Sequence, residues 1–142
     1  MKLTAEREKL LAPLQAVIGV VERRQTMPVL ANVLLAVRQG QLSITATDLE
    51  VELVASTEVA VQEAGDITVP GRKFLDILRA LPEKLSVALA VEGEKVVIKA
   101  GRSRFSLSTL PAAEFPVIDD INSQQTVQVP QLFWVSPVMN GL

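Results

Sequence analysis

Apolar residues recur at three- and four-residue steps over Leu10, Leu11, Leu14, Val17, Ile18 and Val21, which predicts a helix with one apolar stripe. Thr4 stands where it can cap that helix, and Pro13 should kink it or delay its start. Lys2–Thr4 reads as a short strand before it. After the polar run Glu22–Pro28, the pattern changes to runs of strand character. Val29–Val37 is mostly apolar, as in a strand covered on both faces. Leu42–Thr47 alternates, and Glu50–Val61 predicts a third strand, bent or broken. Gln39-Gly40 and Asp48-Leu49 are the turns.

The same plan returns further on. Asp66–Val69 reads as a strand, and Pro70 suits a helix start, where its missing N–H costs nothing. Phe74, Ile77, Leu78 and Leu81 fall on one helix face, and Pro82 ends it. Three strands follow, Ser86–Val91, Lys95–Ala100 and Ser103–Thr109. In the last, Arg104, Ser106 and Ser108 alternate with Phe105, Leu107 and Thr109, one set for each sheet face. Leu110-Pro111 stops it. Strand, helix and three strands thus occur twice. The fold class is α+β: two strand–helix–three-strand repeats, with two helices packed on one side of antiparallel sheets.

Composition narrows the chemistry. Of 142 residues, 49% are hydrophobic and 21% charged, the balance of a globular chain. Cysteine and histidine are absent, which removes disulfides, Cys/His zinc sites and histidine acid–base catalysis. The charged run Lys2–Glu8 is unlike a signal peptide, and no apolar run is long enough to span a bilayer, so a cytoplasmic location is expected. A net charge of -2 argues against tight non-specific DNA binding and leaves room for a loose contact through cations gathered on one face.

No catalytic constellation is present, and no cofactor or metal is expected. The acids Asp48, Glu50, Glu52, Asp119 and Asp120 could form a carboxylate or metal site, but such acids are ordinarily solvated. The cations say more. Arg23 and Arg24 follow the first helix, and Arg72, Lys73 and Arg79 lie on or before the second. The repeat can bring both groups to one surface, although from composition alone ordinary solubilising charge is the better account of them.

Three stretches carry a resemblance. Gly101–Pro116 ("GRSRFSLSTLPAAEFP"), Thr47–Leu53 ("TDLEVEL") and Val69–Pro82 ("VPGRKFLDILRALP") resemble, in the same order, pieces of the bacterial sliding clamp, the beta subunit of DNA polymerase III. The likeness runs from Met1 to about Gln131. It implies a clamp domain over residues 1–125 and the start of a second, divergent domain over 126–142. It implies helices facing a central hole with sheets outside, and a non-catalytic processivity factor that tethers polymerase to duplex DNA. By the same resemblance Arg24 and Arg72 contact DNA. Lys73, Lys95, Arg102, Arg104, Phe105 and Leu107 form a subunit interface, a small apolar centre ringed by cations that docks on the third domain of another clamp subunit. Polymerase and clamp loader are partners of the full-length family protein. The family's peptide-binding cleft has no counterpart here. A different reading of the same edge is a short interaction module that docks on a full-length clamp.

Overall fold

The computed structural model describes residues 1–21 and 28–116, and the backbone of one further strand, Leu132–Val135. In chain order the elements are β1 (Lys2–Glu6), α1 (Arg7–Val17), β2 (Asn32–Arg38), β3 (Gln41–Thr47), β4 (Glu52–Glu58), β5 (Ala60–Glu63), β6 (Gly65–Pro70), α2 (Gly71–Ala80), β7 (Ser86–Glu92), β8 (Lys95–Ala100), β9 (Ser103–Ser108) and β10 (Leu132–Val135). Short 3₁₀ turns cover Ile18–Val20, Pro28–Ala31 and Ala112–Glu114.

Two five-stranded sheets result, in the orders β5-β1-β7-β8-β9 and β10-β4-β3-β2-β6, with antiparallel neighbours throughout. The twofold repeat is present, with a twist: the repeats exchange their first strands. β1 pairs with β7 of the second repeat, Leu3 opposite Leu89. β6 pairs with β2 of the first, Val69 opposite Val33. The exits match as well. After β4 the chain crosses to the other sheet, where β5 lies against β1. After β9 it does the same, and Leu110 exchanges both backbone hydrogen bonds with Thr68 of β6 at 3.0 and 3.2 Å. The strand predicted over Glu50–Val61 as bent or broken is broken, into two strands that lie in different sheets. The break falls at Val59, whose N–H goes to Gly40 O at 2.9 Å.

The two helices pack on each other and on the sheets and share one core with them. Leu10, Leu14 and Val17 of α1 and Phe74 and Leu78 of α2 are buried with Leu3, Leu35, Ile44, Leu89 and Ile98 of the strands. At about 25 cal/mol per Å² of apolar surface, this shared core holds the helices to both sheets. At Gly71, the first residue of α2, the packing is close: a Cβ would stand 3.0 Å from Ile18 Cδ1 and 3.1 Å from Val33 Cγ1, so those side chains would have to give by a few tenths of an ångström. Two local expectations fail. Thr4 lies inside β1 and points its hydroxyl toward Gln62, so α1 starts at Arg7 with Glu6 as an N-cap that makes no side-chain bond. Pro13 neither delays nor ends α1. It sits mid-helix and buried, where its ring adds to the stripe that seats the helix.

Candidate nucleic-acid and subunit interfaces

Two arginines tie the helix pair together. Arg7, first residue of α1, donates Nε–H to Leu78 O at 2.7 Å and Nη2–H to Arg79 O at 3.4 Å, capping the C-terminal end of α2. Glu8 holds it from the side at 3.0 Å, and that bond lowers the Glu8 pKa below its ordinary 4.5. Arg72, in the first turn of α2, donates Nη2–H to Val21 O at 2.8 Å, where the chain leaves the 3₁₀ turn after α1. Each helix thus sends an arginine from its start to the end of the other. Cations at helix C-termini meet unpaired carbonyls and the negative end of the helix dipole.

The outward face of this layer is uneven. On α1 it presents Glu8 and Lys9, then the uncharged Ala12, Gln15 and Gly19. On α2 it presents Arg72, Lys73 and Arg79 against the single acid Asp76. Arg7 is spent on carbonyls with its side chain 13% exposed, whereas Arg72 gives one N–H to Val21 and remains exposed. Of the two residues singled out for DNA, Arg72 therefore belongs to a cationic helix face. Arg23 and Arg24 lie outside the described residues. Arg24 follows Val21 by three positions, so the chain enters its run at the Arg72 contact.

The second candidate site is the end of the other sheet. β9 is the outermost strand there, with no neighbour beyond it among the described residues. Arg102 is exposed in the β8–β9 turn. On the outer face Lys95 stands opposite Ser108, and Lys99 directly opposite Arg104. Lys73 comes from α2, which packs against β9. Glu92, Lys95, Val97, Arg104, Phe105 and Ser106 line an open hollow of about 430 Å³. Leu107 departs from the expected arrangement. It is 6% exposed and faces the core opposite Val96, because the alternation of β9 that turns Arg104 outward turns Leu107 inward. Phe105 shares the face of Leu107, opposite Ile98, and packs half-buried against the core; it and the buried Val97 are the apolar residues that line the hollow. Lys99 and Val97 were missed, although both share the period-two face of Lys95.

Asp48 has a local structural role. Asp48 Oδ1 accepts from the N–H groups of Glu50 and Val51 at 2.9 and 2.8 Å, and it shapes the β3–β4 turn with Thr47 Oγ1, which donates to Val51 O. Among the described residues no group of three or more His, Cys, Asp or Glu is placed to hold a metal ion; Asp119 and Asp120 lie outside them. Glu52 is 8% exposed, and burial raises its pKa above 4.5. The sign follows. Below about pH 4.5 both folded and unfolded chains hold the proton. As pH rises the unfolded chain loses it first, so stability falls until the folded-state pKa is passed. Glu52→Gln is expected to raise the melting temperature at pH 7 and to leave it unchanged at about pH 3.5, as scanning calorimetry at both pH values would show.

With both surfaces in view, the likeness to known proteins can be placed. The family model for the DNA polymerase III beta subunit, N-terminal domain, matches residues 1–119. The chain belongs to this family. It is 54% identical over 132 residues to the beta sliding clamp of Escherichia coli strain K12, covering 92% of this chain and 36% of that protein. A crystal structure of a sliding clamp from Pseudomonas aeruginosa superposes with a TM-score of 0.82 at 56% identity, over 84% of this chain and 33% of the other. Polymerase III beta from Caulobacter crescentus gives 0.83 at 44% identity, over 86% and 34%. The chain therefore spans about a third of the length of the curated relatives it matches. As a beta-subunit N-terminal domain it shares their α+β clamp fold. None of its described helices is long and apolar enough to cross a membrane.

Proposed function

We propose that this chain acts as the first domain of a DNA-replication processivity factor, a sliding clamp that tethers DNA polymerase III to duplex DNA and catalyses nothing itself. The observation that carries this is the cationic face of α2 on a helix layer shared by both repeats, in a chain 54% identical to a beta sliding clamp. Residues 1–125 are the clamp domain, and 126–142 begin a second one. Arg72, together with Arg24, holds phosphates without reading bases, as sliding requires. Lys73, Lys95, Arg102 and Arg104 around Phe105 dock on another clamp subunit, and Leu107 supports that edge from within. Polymerase and clamp loader act on the assembled ring, in the cytoplasm. One domain does not encircle DNA in this manner, so its own grip is weak.

Fluorescence anisotropy with a labelled duplex at several salt concentrations tests the DNA face. Arg72→Ala is expected to weaken binding equally for all sequences and to flatten the log–log salt slope by about 1. An unchanged slope would remove Arg72 from the interface.

A second reading rests on the open β9 edge, where Lys99 faces Arg104. Like charges directly across a ladder destabilise it and are offset by an acidic partner. A short chain of this kind docks on the third domain of a full-length clamp. Co-sedimentation with a full-length clamp tests this, and Arg104→Glu is expected to abolish the complex.

A further inference from the structure

The two repeats correspond residue for residue at their exits, and they part at Pro111. After β4, Val59 donates its N–H to Gly40 O of the β2–β3 turn at 2.9 Å. After β9, Thr109 donates to Glu94 O of the β7–β8 turn at 3.0 Å. The next residue meets the exchanged strand in each case: Ala60 lies opposite Thr4 of β1, and Leu110 opposite Thr68 of β6. Thr4 and Thr68 both stand three residues before a helix. From there the first repeat runs on as β5, with Val61 opposite Leu3 and Glu63 opposite Lys2. The second repeat does not. Pro111 has no N–H to give to a ladder, and the chain folds away into the 3₁₀ turn Ala112–Glu114. β6 is the outermost strand of its sheet. Ile67 and Asp66, which correspond to Leu3 and Lys2, therefore have no strand beside them on that side among the described residues.

An open hollow of about 680 Å³ stands at this place, between Asp66 and Ile67 of β6, Glu94 of the β7–β8 turn and the exit Leu110–Glu114. Strand alternation fixes what β6 presents to it. Thr68 exchanges both its outward bonds with Leu110, so two residues earlier Asp66 also turns its N–H and C=O outward, and none of the described backbone groups takes them. Ile67 is half-buried at the edge of the core. Acids surround the opening. Asp66 meets Arg38 at 3.2 Å, whereas the exposed Glu94 and Glu114 are in no ion pair among the described residues.

We propose that the β6 edge at Asp66 is a peptide-binding site, and that its occupant is an extended segment of a partner protein that adds to β6 as β5 adds to β1. β5 shows the order of side chains that suits the place. An apolar residue comes first, packed against the core, and then a charge opposite the charge of the receiving strand, as Glu63 lies opposite Lys2. Asp66 stands where Lys2 does, with Glu94 and Glu114 about it, so the charged residue of the occupant is basic. Backbone pairing supplies the affinity, and the apolar and basic side chains supply the selection. The partner is thus opposite in charge to anything held by the cations of α2 or β9.

NMR titration of the intact, isotope-labelled chain with two blocked peptides, taken to millimolar peptide, is the test. One peptide has the sequence of β5, Ala-Val-Gln-Glu, and the other is the same with a basic end, Ala-Val-Gln-Lys. The basic peptide is expected to shift the amides of Asp66, Ile67 and Glu94 and to slow hydrogen exchange at Asp66. It is expected to bind about tenfold more tightly than the acidic peptide at low salt, a margin that narrows as salt is added. Glu94→Lys combined with Glu114→Lys, both at exposed positions, is expected to abolish that preference. Binding of neither peptide, equal affinity for both, or shifts that map away from Asp66 and Ile67 would overturn the proposal. So would an Asp66 amide already protected from exchange in the free chain, since a segment of the same chain would then hold the edge.

Discussion

Cut between Ala64 and Gly65, the chain is expected to give two fragments that are unfolded apart and fold when mixed. Each half contains the first strand that the other half's sheet requires. In residues 1–64, β1 would have only the four-residue β5 as a partner, because β7 is on the other fragment. In residues 65–142, β6 would lose β2, and β10 would lose β4. Neither half closes a core. Leu3, fully buried between the sheets, would meet water in one fragment, and Val69 would in the other. Circular dichroism of each fragment and of the equimolar mixture reads the result. A cooperative melt from either fragment alone would refute it. The point-mutation form is Leu3→Ala in the intact chain. It is expected to cost about 2–5 kcal/mol, far more than an alanine near a chain end ordinarily does.

Phe74→Ala is the second large effect, at about 3–5 kcal/mol. Phe74 is the largest fully buried side chain among the described residues and directly follows Arg72 and Lys73 on α2. Removing it empties the space beneath the cationic face. Urea unfolding is expected to show a lowered midpoint with an unchanged slope. The neighbouring exposed Lys73→Ala is expected to stay within about 0.5 kcal/mol. If Phe74→Ala cost less than Lys73→Ala, α2 would not be seated as described. The two substitutions also separate folding from binding. Phe74→Ala acts through the population of folded chains, and Lys73→Ala acts only on the charged surface.

The elements themselves were largely legible. The apolar spacing of Phe74, Leu78 and Leu81 located α2, and Lys95–Ala100 was read with the bounds of β8. Partners were not legible. Alternation says which residues share a face and is silent on which strand lies alongside, so the exchange of β1 and β6 left no trace in the pattern. The sequence allowed a bend or break within Glu50–Val61, but nothing in its pattern says that the two sides serve different sheets. Thr4 had the chemistry of a cap but stood two residues inside a strand. At the candidate sites, Arg104 facing out and Leu107 facing in both follow from the period of two, and it was the family likeness that assigned Leu107 to the interface. The reciprocal contacts of Arg7 and Arg72 join residues 51 or more positions apart, a distance over which local pattern carries no information.

The exchanged strands set an order on biosynthesis. Residues 2–6 leave the ribosome first, yet their neighbour in the sheet, residues 86–92, is made some 80 residues later. At 5–20 residues per second this is a wait of roughly 4–16 s, long compared with the microseconds in which a hairpin forms. Throughout it, Leu3 and the inner faces of β2, β3 and β4 lack half their cover. The nascent chain is thus most open to chaperones, proteases and wrong partners until β7 arrives, and a pause in translation before Ser86 would prolong that exposure.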